Sequence, residues 1–292
     1  MILGVFMLDK LARIITIPLE FITRYFKALV LLLIVAVLLI STKGTTTQKP
    51  NLAKLYLYGP IFESESFQDQ INKILQNPSI KGALLMIDSP GGTISASVEL
   101  SDMVASLAKK MPVVAYVRGV MASGSYYAGM MASKIYANRG ALIGSIGVIF
   151  SGVNIAPLMD KLGIKTQGVA KGAYKEVGTF MREWTPQEKQ YLNGLLNEQY
   201  GMFVSDVAKA RHLDPKDTPA FAEGKIFSAK QALFLKLIDR VSTYDEAIKA
   251  LEHLSAVKNP IWLQKDKLEI FMDKFFKSSS QALAQVLSYQ MR

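Results

Sequence analysis

Three times between residues 52 and 132 a short apolar, β-favouring run is followed by a stretch with the period of an amphipathic helix. Residues 52–58 lead to 67–75, residues 82–88 to 95–108, and residues 113–117 to 123–132. Strands that are apolar almost throughout need cover on both faces, so this order predicts an α/β fold with a mostly parallel sheet. Further strands are expected at 134–137, 147–150 and 165–170, with a helix at 156–162. Thr185, Pro186 and Glu188 supply the cap, first-turn proline and capping-box acid of a long helix over 186–211. Shorter helices are expected at 228–235 and 245–254.

The chemistry open to this chain is narrowed by what it lacks. Its 292 residues include no cysteine and two histidines, His212 and His253. That removes disulfides, thiol nucleophiles and cysteine zinc sites, and both histidines fall where a solvated surface role is expected. No metal or cofactor is implied.

The net charge of +10 is uneven: residues 1–50 hold six basic residues against two acidic, and residues 258–292 hold six against three. The middle is left nearly balanced, which is an ordinary globular surface and gives no reason to expect a nucleic-acid partner.

Residues 28–40 are apolar without interruption, and with their flanks they give about 27 Å of helix, enough for one membrane span. No small-residue cleavage pattern follows, so an uncleaved anchor over 28–42 is expected rather than a signal peptide. Lys10, Arg13, Arg24 and Lys27 precede it against Lys43 and Lys49 after it, which orients residues 1–27 to the cytoplasm and the main domain to the far side. Residues 43–50 read as a linker, 51–257 as the main domain, and 258–292 as a basic amphipathic segment, either for lipid or a neighbouring subunit or as a terminal helix packed on its own domain.

Two junctions, Asp88-Ser89-Pro90-Gly91-Gly92 and the run from Gly119 to Tyr127, each follow a strand and open a helix. Neither matches a phosphate-binding pattern, whereas N–H donors from two such turns can converge on one oxyanion. Ser123, among small residues at a helix start, is a candidate nucleophile. The GxSxG elbow is absent, and the SxxK at Ser106 lacks its companion motifs. With the histidines set aside, the base has to be a lysine, and bringing a lysine pKa to about 7 requires about 4.6 kcal/mol of destabilisation of its charged form. Lys171 and Lys175 both qualify by position, in a glycine-containing loop after the expected strand 165–170, and composition does not choose between them.

Four ordered motifs together are specific: Ser89-Pro-Gly-Gly, Ala122-Ser123-Gly-Ser-Tyr-Tyr, Gly144-Ser145-Ile-Gly-Val and Gly172-Ala-Tyr-Lys175-Glu. Over roughly residues 52–245 the chain closely resembles the signal peptide peptidase A (SppA) family of serine peptidases, which has the Clp protease/crotonase-like fold. The resemblance implies Ser123 as nucleophile, Lys175 as general base, Ser145 as the hydroxyl orienting the lysine, and the N–H groups of Gly92 and Gly124 as the oxyanion hole. It also implies an endopeptidase of the bacterial inner membrane, with its catalytic domain on the periplasmic or extracytoplasmic side, that hydrolyses remnant signal peptides or other membrane-derived peptides. Ile94, Val120 and Met121 are expected to line the substrate cleft. Ser125 stands where the family usually has glycine and is expected to narrow the site. A homo-oligomer is implied, and at this length one chain carries both dyad residues. The competing readings are a crotonase-like acyl-CoA enzyme, which has no need of the Ser/Lys pair or an anchor, and an idle scaffold of the same fold.

Overall fold

Every residue of Ala83–Ile87 in the second strand is buried, because its two faces pack into two different cores. The structure, a computed structural model, describes residues 23–28, 30–32, 35 and 49–264. The chain divides into two units, residues 1–49 and 50–292. In the first, the described residues from 23 to 35 are helical and exposed. No helix among the described residues is long and apolar enough to cross a membrane. Most of the expected anchor at 28–42, and the C-terminal segment from residue 265, lie outside the described residues.

In the second unit the parallel strands β1 (Leu52–Tyr58), β2 (Gly82–Ser89), β3 (Val113–Ala122), β4 (Lys134–Ala137) and β7 (Arg240–Val241) run in that order. On one face Leu55, Leu85, Ile87, Ala115 and Val117 join a core with α1 (Glu65–Leu75), α2 (Ile94–Ala108) and α3 (Gly124–Gly129). On the other, Leu52, Leu84, Met86 and Val114 pack on Ala247 and Leu251 of α8 (Tyr244–Leu254). The mostly parallel α/β sheet is the one expected.

β3 changes partner along its length. Val114–Val117 pairs with β4, while Val120–Ala122 pairs with β5 (Leu142–Gly144), which is antiparallel to β6 (Ile226–Ser228). The β2–β3 register also shifts: Ile87 faces Val117 but Ser89 faces Met121. Such an irregularity bends and re-aims a strand end, here the end that carries Ser123.

Two expected strands are absent, each for a visible reason. At 147–150, β5 has already ended at Gly144 (φ +110°), and Ser145 (φ +49°) turns the chain out of extended geometry. At 165–170 every residue is exposed and no strand is there to pair with. The rest of the chain holds α4 (Ala156–Lys161), the long α5 (Pro186–Arg211), α6 (Thr218–Phe221) and α7 (Ala229–Phe234). α5 begins with the expected capping box between Thr185 and Glu188. It packs on the core through Phe203, Val204, Val207 and Ala208, while residues 149–198, from after β5 to the first half of α5, form an arm in which only Glu188 and Leu192 are buried. His212 caps α5 in a left-handed conformation and His253 ends α8; both are exposed, away from Ser123.

Candidate active site

Ser123 sits between β3 and α3 with φ +53° and ψ −124°, a conformation an L-residue occupies at a cost of order 1–3 kcal/mol and one that clusters at functional sites. Its N–H donates to Gly144 O at 2.8 Å and its carbonyl accepts from Tyr127 N–H at 3.0 Å, so the turn is fixed from both sides. The Ser123 hydroxyl makes no hydrogen bond to another described residue, which leaves it free to face a substrate.

The Gly91–Gly92 turn lies against it. Ile61 N–H donates to Gly91 O at 3.0 Å and Thr93 N–H to Ile61 O at 2.8 Å, stapling the turn to the chain after β1. A Cβ on Gly91 (φ +93°) would lie 2.5 Å from Gly124 N and 2.9 Å from Ser123 Cβ, so glycine is required for the two turns to meet. A Cβ on Gly124 would lie 3.2 Å from Gly92 N, which places the two glycine backbones side by side. Neither N–H is taken by another described residue, and two such donors beside one hydroxyl are what an oxyanion requires.

Ser125 does not narrow the site. Its side chain is fully buried and turned away, donating to Ser89 O at 2.6 Å and accepting from Ala122 N–H at 2.8 Å. It ties the glycine turn to the serine turn, a role that the sequence pattern did not reveal.

A groove of about 550 Å³ passes over Ser123, lined by Gly92, Ile94, Ser145, Val148, Tyr200 and Glu223 among others. A recess of about 30 Å³ opens from it between Val98, Tyr127, Met202 and Phe203, room for one small side chain. Tyr127 closes the recess, and its hydroxyl donates to Asp206; burial first, then that bond, pushes its pKa up. Ile94 lines the groove. Val120 and Met121 do not: Met121 is buried in the core, and Val120 N–H donates to Asp88 on the opposite side of the sheet end. A hollow of about 570 Å³ on the face that carries α8, lined by Lys54, Tyr56, Tyr58, Tyr116, Arg118 and Tyr244, holds no serine.

Ser145 is in the groove, fixed by its N–H to Lys225 O at 2.7 Å. Lys175 is not among the lining residues. It is exposed in a turn closed by its N–H to Gly172 O at 3.1 Å, and its neighbour Tyr174 stacks on Tyr191 of α5 with ring centroids 4.7 Å apart. On α5 the groove residues Asn193, Leu196, Asn197 and Tyr200 form one stripe by helical spacing. Tyr191 and Leu195 lie about half a turn away from it. Tyr174, the residue before Lys175, therefore packs on the side of α5 away from the groove over Ser123.

Missed at the sequence level were Asn193, Asn197, Tyr200 and Glu223. The first three were legible as a polar i, i+4, i+7 stripe on a correctly placed helix; Glu223, in a loop before β6, had no signal. Among the described residues no group of three or more His, Asp or Glu could hold a metal ion.

The family model "Peptidase family S49" matches residues 105–258, from within α2 to just past α8. A putative protease of Methanocaldococcus jannaschii is 38% identical over 224 residues, covering 72% of this chain and 72% of that protein. A putative signal peptide peptidase SppA of Enterococcus faecium is 31% identical, over 65% of this chain and 56% of its own. A chloroplastic serine protease SPPA of Arabidopsis thaliana is 31% identical, over 65% of this chain and 28% of its own. With the fold and the strained serine already in place, these relatives put the chain in peptidase family S49, as a serine peptidase of the SppA type.

Proposed function

We propose that the protein is a membrane-anchored endopeptidase whose Ser/Lys dyad cleaves membrane-derived peptides, remnant signal peptides among them. The observation that carries this reading is the strained Ser123 with its free hydroxyl beside the unpaired N–H groups of Gly92 and Gly124. Neutral Lys175 takes the Ser123 proton, Ser123 attacks the peptide carbonyl, and the two N–H groups hold the oxyanion. Ser145, with its hydroxyl unengaged in the groove, orients the amine. Protonated Lys175 then donates to the leaving amine, and a water it activates releases the acyl group.

Lys175 does not line the groove over Ser123, and Tyr174 beside it stacks on the far side of α5; both support a dyad completed between copies, with Lys175 of one chain serving the Ser123 of its neighbour. Exposed apolar residues on the arm, Ile149, Val153, Leu162, Ile164 and Val169, support this packing. Ile94, Val148, Ile149 and Leu196 give the groove apolar stretches for hydrophobic peptide side chains, and the basic flank of residues 10–27 supports a single anchor with a cytoplasmic N-terminus and an extracytoplasmic catalytic domain in a bacterial inner membrane.

The test is complementation in mild detergent. Ser123→Ala and Lys175→Ala are each inactive toward an internally quenched apolar peptide, and their co-expressed mixture regains about a quarter of wild-type activity, the chance of a competent pair at each head-to-tail interface. A mixture as dead as its parts would refute the shared dyad. Full activity in either single variant would refute the residue assignment.

A further inference from the structure

The groove over Ser123 carries one acidic side chain and no basic one, the acid being Glu223; its other lining residues are glycine, aliphatic, serine, asparagine or tyrosine. Glu223 is held in a left-handed conformation (φ +60°), a cost a non-glycine residue bears only where its surroundings impose it. The next residue, Gly224, donates its N–H to Ile146 O at 2.9 Å, which seats the Glu223 backbone beside the Ser145 turn.

The side chain is aimed as well. Tyr200 of α5 donates its hydroxyl to Glu223 Oε1 at 2.6 Å, and Glu223 N–H donates back to the Tyr200 oxygen at 3.3 Å. The pair matters to Tyr200, whose pKa is raised by burial and then by the bond to Glu223. The other carboxylate oxygen has no partner among the described residues. Lys225, the nearest lysine in sequence, is turned to Pro219 O at 2.7 Å and does not neutralise it.

Resting on the Ser123 reading above, we propose that Glu223 is a specificity-determining residue, a fixed carboxylate that favours peptides with a Lys or Arg side chain near the scissile bond. A carboxylate with one oxygen held and the other open is a directed acceptor for an ammonium or guanidinium group. A groove whose one charged side chain is negative favours a peptide bearing one basic residue over an uncharged one.

The experiment moves a single lysine through an otherwise neutral, apolar, internally quenched peptide, with glutamine in its place as the reference, using the full-length protein in detergent. One lysine position is expected to raise kcat/KM up to about fivefold over glutamine, and this lysine-to-glutamine ratio, measured within each variant, falls to about one in Glu223→Gln and is reduced in Tyr200→Phe. No preference for lysine at any position in the wild type, or a preference that survives in Glu223→Gln, would overturn the proposal. So would an equal fall on all peptides in Glu223→Gln, which would place the carboxylate in the catalytic machinery or the fold. Cleavage of the neutral peptide by wild type and not by Ser123→Ala keeps the peptidase reading intact in each of these cases.

Discussion

The hydroxyl of Ser125 reaches the carbonyl oxygen of Ser89, 2.6 Å away and wholly out of solvent, so one side chain couples the Gly91–Gly92 turn to the Ser123 turn. Ser125→Ala leaves Ser89 O and Ala122 N–H without this partner. Unfolding free energy is expected to fall by about 1–3 kcal/mol. Loosened donors should lower kcat by roughly tenfold or more while KM changes little. Urea denaturation beside steady-state kinetics measures both, and an unaltered kcat would show that the two turns hold their places without it.

Gly92 has no room for a side chain. A Cβ there would fall 1.8 Å from Ile61 O, a backbone atom that cannot swing aside, so Gly92→Ala must displace the turn and its N–H. Loss of one oxyanion donor predicts a rate lower by about 10²–10³. Gly201→Ala, in open space on α5, is the control and should leave the rate near wild type. Single-turnover acylation distinguishes the two variants.

The arm should govern assembly. Val169 is entirely exposed, and Val169→Asp would bury an unpaired charge wherever that arm packs on a neighbour. Association is expected to weaken at least about tenfold and activity to fall with it, while circular dichroism stays unchanged. Sedimentation in detergent reads the first; full-sized assemblies of the variant would contradict the role given to the arm.

The arm's root has an acid limit. Glu188 accepts two bonds from Arg182, at 2.8 and 2.9 Å, and one from Thr185 N–H at 2.8 Å; these hold its pKa at about 2. A carboxyl depressed in the folded state contributes its full stabilisation above its unfolded pKa, about 4.3, and loses it as pH falls toward 2. Hydrogen exchange at the start of α5 should therefore be flat from pH 7 to about 5 after correction for intrinsic rates, and less protected below. Glu188→Gln should abolish that pH dependence.

The sheet could be read from the chain because its strands are apolar on both faces, and α5 because Thr185, Pro186 and Glu188 announce its start. The false strands at 147–150 and 165–170 have strand-like composition, but a strand exists only where a neighbour completes its hydrogen bonds. Val120 and Met121 were misplaced for a related reason: the shift in β2–β3 register decides which side each residue faces, and nothing local to them encodes it. The close approach of Gly91, Gly92 and Gly124 to Ser123 was foreshadowed by the glycines themselves. The separation of Lys175 from that cluster was not, because the stacking of Tyr174 on Tyr191 is a tertiary choice.

That stacking bears on when the enzyme can cut. On the proposed pairing of Lys175 with the Ser123 of a neighbouring copy, a newly made chain would be harmless to the proteins around it. Proteolysis then begins only where chains are dense enough to meet, and at low density its rate climbs with the square of their number. The arrangement acts as a safety catch that needs no propeptide and no inhibitor.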